Sequence, residues 1–232
     1  MDKNTTALVM MFKRPLPGQG KQRLATDLGR DAACSLAGCL FDISSALLIQ
    51  WPGVAVASPA STEDQAWAQE VLPPSVQLLA QQNGNLGQRI NQLDQQLRAQ
   101  GLEQLLFIGS DAPELSQALL AQVCRALDTC DIALVPSSDG GVSLMAARAP
   151  WPELQDLPWS TPQLGGALSA LCEQQGLSVC QVGHCDDLDT LADLHLLLSR
   201  WQQAALTLEQ QVLFTTAGQI LAENSTVAGR EQ

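Results

Sequence analysis

The 232-residue chain has no tyrosine, and aromatic residues make up only 4% of it, so its interior has to be built from leucine, alanine, valine and isoleucine. Positive charge is equally scarce. Twelve Lys and Arg stand against 24 Asp and Glu, and no lysine follows Lys21. The net charge of -12 sets up a field that repels phosphate backbones, so neither nucleic acid nor an anionic membrane is an expected partner. The seven cysteines form no C-x-x-C pair, are odd in number and lie in apolar surroundings. They read as reduced, mostly buried thiols, with no disulfide needed for folding and no zinc site. No window looks close to the ~18 apolar residues of a membrane span, and the short apolar run near the start meets a basic loop at once. A cytoplasmic location is the resulting expectation.

What is present is an alternation of two periodicities. Short apolar runs read as strands at 6–12, 53–57, 76–80, 104–109, 131–135, 142–147 and 178–182. Between them, helical spacing marks 22–49 (with Gly29 and Gly38 as interruptions), 63–72, 86–100, 116–127, 162–175 and 190–201. Strands alternating with helices imply right-handed crossovers and a three-layer α/β/α domain with a mostly parallel sheet. Ligands of such sheets sit at the carboxyl ends of the strands. The expected organisation is one domain over 1–205 with a C-terminal extension, 206–232, packed on it or trailing from it. In that extension a helix over 206–223 followed by a small hairpin through Ala217 and Gly218 is expected, with 224–232 frayed.

Four segments carry chemistry, each after a strand. Half of the basic residues cluster near the start, as Lys3, Lys13, Arg14, Lys21, Arg23 and Arg30. The loop from Phe12 to Leu24 holds four of these six and contains Gly18 and Gly20, a composition that suits phosphate: backbone N–H groups, a following helix and full charges on Lys21 and Arg23. It is neither a P-loop nor a dinucleotide fingerprint, because Pro15 and Gln22 stand where those patterns need Gly and Ser or Thr. Asp111, after Gly109 and before Pro113, can hold a hard cation, which needs only one or two protein carboxylates. The alternative is an Asx-turn or helix cap. Asp139-Gly140-Gly141 allows close backbone approach or makes a plain hairpin turn. Asp186, Asp187 and Asp189 offer further ligands or a cap for the next helix.

Taken together, Lys13-Arg-Pro15, Gly18, Lys21-Gln-Arg-Leu24, Leu86-Gly-Gln-Arg89, Gly109-Ser-Asp-Ala-Pro113, Asp139-Gly-Gly141, Trp159-Ser-Thr161 and Asp187-Leu-Asp-Thr190 resemble a bacterial family. It is a glycosyltransferase-A-like family of former unknown function, related to the 2-phospho-lactate guanylyltransferases. The resemblance implies a nucleotide-diphospho-sugar transferase fold, with Lys13, Gly18, Lys21, Arg23 and Arg89 near phosphates. It implies Mg or Mn on Asp111, with Asp187 and Asp189 as further ligands, and Asp139 as a base. Gly140, Gly141, Trp159, Ser160 and Thr161 would lie beside the sugar or acceptor, although Trp159, like Trp151, reads equally as a core anchor.

The chain departs from the family pattern at Gln22 (for Thr), Val142 (for Tyr) and Val135-Pro136 (for Gly-Pro). The expected activity is metal-dependent transfer from a nucleotide-sugar to a small-molecule acceptor. The alternatives are nucleotidyl transfer from a nucleoside triphosphate with release of pyrophosphate, or a non-catalytic nucleotide-binding module. Oligomeric state is not legible.

Overall fold

The computed structural model describes residues 5–228. Seven strands form one sheet in the order β3-β2-β1-β4-β6-β5-β7. They are β1 (Thr6–Phe12), β2 (Val54–Pro59), β3 (Gln77–Leu78), β4 (Gln104–Ile108), β5 (Ile132–Pro136), β6 (Val142–Ala147) and β7 (Val179–Gln181). All run parallel except β6, which lies antiparallel between β4 and β5. The reversal follows from chain length. Only residues 137–141 separate β5 from β6, enough for a hairpin and far too few for the crossover that a parallel pair requires.

Among the described residues, eight α-helices accompany the sheet: α1 (Gln22–Leu28), α2 (Arg30–Ile49), α3 (Gln65–Val71), α4 (Leu86–Ala99), α5 (Gln117–Ala126), α6 (Leu164–Gln174), α7 (Leu191–Trp201) and α8 (Leu208–Ala228). The continuous apolar sequence of β1 is explained by burial on both faces. Leu8 and Met10 pack with Phe41, Leu48, Leu120 and Val123 of α2 and α5, while Ala7 and Val9 pack with Ile90, Leu93 and Leu97 of α4. Alternate residues facing opposite layers is the period-2 geometry of a strand. A third apolar cluster joins α1, α2, α7 and α8 through Leu24, Leu36, Leu40, Leu194, Trp201, Leu213 and Ala217.

Three expectations are corrected here. The helical stretch is broken at Gly29, whose φ of 87° suits glycine, but Gly38 lies inside α2 without a break. Helix α2 is, by length and composition, apolar enough to cross a membrane, contrary to the sequence reading. Its apolar residues are instead consumed by the clusters on β1 and α8, which makes it a core helix. Third, no hairpin interrupts the described part of the C-terminal segment: α8 runs unbroken to Ala228. Leu213 and Ala217, one turn apart, are fully buried against α2. That burial outweighs the roughly 1 kcal/mol that Gly218 costs a helix. The frayed segment expected over 224–232 is helical as far as 228, and 229–232 lie outside the described residues.

The cysteine reading is also corrected. Cys130 and Cys180 form a disulfide with Cα atoms 6.1 Å apart, and Cys34, Cys39, Cys124, Cys172 and Cys185 are free. The pair is 50 residues apart in sequence and adjacent only because β5 and β7 pair. Spacing along the chain carries no trace of it.

Beside this disulfide, Asp131 accepts hydrogen bonds from the backbone N–H (2.9 Å) and hydroxyl (2.7 Å) of Ser178 and from Arg148 Nε (3.1 Å). The Ser178 hydrogen bonds, with help from Arg148, hold the Asp131 carboxyl down at about 2. Because the folded value lies below the unfolded one of about 3.9, this stabilisation is complete above about pH 4 and is lost as pH falls toward about 2. In acid unfolding followed by circular dichroism, Asp131→Asn should therefore flatten the loss of stability between about pH 4 and 2. Equal slopes in the two proteins would remove Asp131 from the acid response.

Candidate functional site

The carboxyl ends of the parallel strands converge on a cleft of about 820 Å³, within the ~300–1,000 Å³ usual for small-molecule sites. The loop after β1 forms one wall. Gln22, the departure from the family pattern, braces it: its side-chain amide donates to the Gly18 carbonyl (2.9 Å) and the Gly20 carbonyl (3.3 Å). Gly18 and Gly20 both have positive φ, which this tight loop needs. Lys13, Lys21 and Arg23 line the cleft, whereas Gly18 shapes the loop without lining it.

Lys21 is the residue on which the loops meet. Its backbone is left-handed at φ 42°, unusual for a residue with a side chain. The side chain is only 9% exposed, and its Nζ lies 2.7 Å from Asp189 Oδ1 and 3.3 Å from Asp111 Oδ2. Burial alone would lower the Lys21 pKa, but the two carboxylates outweigh it and raise it, so the ammonium is held charged. Asp111 is not a helix cap, because Ser116 caps α5 by accepting from the Leu119 N–H. The segment holding Asp187 and Asp189 reaches Asp111 through a hydrogen bond from the Leu188 N–H to the Asp111 carbonyl (2.8 Å).

Asp187 lies against this group. Burial first, then repulsion from Asp111 and more weakly from Asp189 and Asp139, push its pKa up to about 8, with Lys21 acting the other way. The site thus has more carboxylate than the buried Lys21 can balance. Among the described residues no three His, Cys, Asp or Glu side chains are gathered closely enough to hold an ion by themselves. A three-residue cage is not required: Mg²⁺ commonly takes one or two protein carboxylates and completes its shell with phosphate oxygens and water. In donor type and surplus charge, Asp111, Asp187 and Asp189 fit such an ion.

The opposite wall comes from the β5–β6 hairpin and the loop before α6. Asp139 Oδ1 accepts from Ser137 Oγ (2.5 Å) and from the Gly141 N–H (2.9 Å), so one oxygen of the expected base is spent on the turn. Gly140, at φ 85°, packs so closely that a Cβ there would overlap the Pro162 carbonyl oxygen. This contact fastens the hairpin to Trp159-Ser160-Thr161, which line the cleft. Ser160 is the other non-glycine residue with positive φ among those described. Trp159 Nε1 donates to the Leu154 carbonyl (3.0 Å), which anchors the half-buried ring where it lines the cleft.

Arg89 lines the cleft, but its Nε donates to the Gly84 carbonyl (2.9 Å) and one terminal nitrogen to Gln81 Oε1 (3.2 Å). Much of its hydrogen-bonding capacity shapes the loop before α4. Two further residues line the cleft: Gln81, for which the sequence carries no signal, and Arg14, named in the sequence only as one cation of the basic loop, whose guanidinium lies 5.2 Å from the Trp67 ring centroid. Adjacency to Lys13 and Pro15 was the available clue to Arg14.

The architecture is that of a nucleotide-diphospho-sugar transferase fold. The chain superposes with a TM-score of 0.85 on a proposed nucleotide-diphospho-sugar transferase from Desulfovibrio desulfuricans G20, at 21% identity and covering 98% of each chain. More distant likeness, TM-score 0.51 in both cases, extends to two further proteins. One is the 4-diphosphocytidyl-2C-methyl-D-erythritol synthase of Anaerococcus prevotii (12% identity, 84% of this chain, 97% of that one). The other is a mannose-1-phosphate geranyltransferase of Thermus thermophilus (15% identity, 86% and 80%).

Residues 49–161 match the model of a family described as "uncharacterized protein conserved in bacteria (DUF2064)", in agreement with the resemblance read from the motifs. No curated protein sequence matches the chain. The family match includes Arg89, Asp111, Asp139 and Trp159, and the Lys21 ion pairs tie it to the two unmatched segments of the site.

Replacing Lys21 by Met should leave Asp111 and Asp189 without their cation. The expected loss of stability is about 2 kcal/mol, between the roughly 0–1 of exposed pairs and the 3–5 of buried ones, because both aspartates are partly exposed. Added Mg²⁺ should restore more stability to Lys21→Met than it adds to the native protein. Thermal unfolding with and without Mg²⁺ measures this, and equal Mg²⁺ effects in the two proteins would speak against a shared cation position.

Proposed function

We propose that the protein is a metal-dependent transferase that uses a nucleotide-activated donor, with glycosyl transfer as its reaction. The observation that carries this reading is the meeting of a cationic loop and a surplus of carboxylate at one end of the cleft. Such a pairing suits a diphosphate bound together with a divalent cation, since each would neutralise what the other leaves unbalanced. Arg23, which has no carboxylate partner among the described residues, and Lys13 would contact phosphate oxygens. Asp111 would hold Mg or Mn, with Asp187 and Asp189 as further oxygen ligands; bound there, the ion would supply charge stabilisation for the leaving diphosphate.

The remaining steps belong to the chain's own groups. Lys21, relieved of its carboxylates, has donors for the departing oxygens. The second carboxylate oxygen of Asp139 accepts the proton of an acceptor hydroxyl, while Oδ1 keeps the turn in place. Trp159, Ser160 and Thr161 flank the sugar. Nucleotidyl transfer with loss of pyrophosphate is the second reading. What favours it is the set of three loop cations, Lys13, Lys21 and Arg23, which would suit a triphosphate, together with fold neighbours named for diphosphocytidyl and sugar-phosphate chemistry.

A thermal-shift panel of nucleoside triphosphates and nucleotide-sugars with Mg²⁺ or Mn²⁺ tests both readings. A ligand at ~100 times its Kd should add roughly 2.7 kcal/mol of stability. Asp111→Asn should abolish the metal-dependent part of that gain and leave the part held by Arg23 and Lys13. Stabilisation by no nucleotide would overturn the reading, and pyrophosphate release during turnover would select nucleotidyl transfer over glycosyl transfer.

A further inference from the structure

A second, smaller cavity of about 190 Å³ lies behind the acidic wall, along α7 from Thr190 to Arg200. Its volume matches roughly six water molecules at ~30 Å³ each. Arg23, Asp139, Asp187 and Asp189 line both this cavity and the main cleft, so these side chains form a wall common to the two spaces. A molecule in the smaller cavity would present an atom to whatever occupies the larger one.

The lining of the small cavity has a definite chemistry. Five aspartate side chains, Asp139, Asp186, Asp187, Asp189 and Asp193, line it with two guanidinium groups, Arg23 and Arg200; Asp189 is already paired with Lys21, and Asp139, Asp186 and Asp193 supply the acidic excess. Arg200 is already neutralised by Glu114 and by Asp186 at 3.6 Å. The acidic groups are fixed by neighbours: Asp186 Oδ1 accepts from the Ser138 N–H (2.9 Å), and Asp193 Oδ2 accepts from the N–H groups of Asp189 (3.1 Å) and Thr190 (2.7 Å). Carboxylates fixed in this way still have lone pairs left, and a ligand's O–H or N–H donors can meet them. A phosphate or carboxylate ligand would bring further negative charge to an excess of the same sign. Pro113, Leu188, Leu196 and Leu197 supply an apolar side for carbon.

We propose that this cavity holds the acceptor, and that the acceptor is an uncharged or cationic hydroxyl compound, such as a polyol or amino sugar, and not a phosphorylated one. The inference rests on the donor-cleft reading above and decides between its two chemistries. In glycosyl transfer the acceptor oxygen bonds to the donor's anomeric carbon. The bond from that carbon to the diphosphate breaks with its electron pair on the departing nucleoside diphosphate, and the hydroxyl proton passes to Asp139. Transfer of a nucleotidyl group onto a phosphate would instead require an anion in the most acidic pocket of the site.

The test uses the full chain, with glucose, glucosamine and glucose 6-phosphate as probes in saturation-transfer NMR, in the presence of Mg²⁺ and a nucleoside diphosphate mixture. Glucose and glucosamine should bind saturably, and glucose 6-phosphate at least tenfold more weakly. Leu196, 53% exposed on α7, can be enlarged without disturbing the core, and Leu196→Trp should weaken both sugars at least tenfold. Its unfolding midpoint checks that the variant is folded. Equal or tighter binding of glucose 6-phosphate, no saturable sugar binding, or sugar affinities unchanged in Leu196→Trp would each overturn the proposal. Nucleotide titrations of the same samples read the donor cleft separately: nucleotide binding without sugar binding defeats this inference alone, and sugar binding without nucleotide binding defeats the donor reading alone.

Discussion

The buried ammonium of Lys21 between Asp111 and Asp189 is the interaction on which the site depends. Its three residues come from the loops after β1, β4 and β7: the pairing of β1 with β4 sets the first two side by side, and the Leu188–Asp111 backbone hydrogen bond and the packing of Leu188 with Leu24 bring in the third. Like-charged carboxylates at such separations repel, and a site built from them persists only while a cation sits among them. In the protein by itself the cation is a side chain held in a left-handed backbone conformation, which is where strain at functional sites is commonly found. A bound ion and a phosphate would offer the carboxylates and the ammonium separate partners. One residue can then serve as a structural counter-ion before binding and as a phosphate ligand after it.

The rest of the cleft is organised to keep this cluster at a fixed distance from the opposite wall. Asp139 and Ser137 close the hairpin turn, Gly140 lets that turn rest against Pro162, and the Trp159 indole is anchored to Leu154. Each is a short-range contact between a loop and a sheet-supported neighbour. The reversal of β6 places a strand beginning among strand ends, and so brings Val142 and Ser143 into the same cleft as Ile108 and Gly109.

Much of this was legible in the sequence, for a physical reason. Strands buried on both faces must be apolar throughout, so β1, β4 and β5 announce themselves, and glycine and aspartate at their ends mark where the sheet stops and chemistry can begin. What could not be read depends on contacts between distant segments. The cysteines of the disulfide meet only because β5 pairs with β7, and Gly218 stays helical only because Leu213 and Ala217 find α2. Arg89 is committed largely to the Gly84 carbonyl and Gln81, a use of its charge that no motif encodes. The burial of Lys21 was equally invisible, since the loop around it is exposed and polar in sequence.

The Asp131–Ser178–Arg148 latch and the Cys130–Cys180 bond lie at the amino ends of β5 and β7, whereas the cleft lies at the carboxyl ends. The length of β5, about 16 Å, separates them. Robustness and reactivity are thereby assigned to opposite edges of one sheet. Substitutions that harden or soften the lower edge can accumulate with little interference at the upper one, so the usual conflict between a durable fold and a mobile binding cleft is eased by geometry.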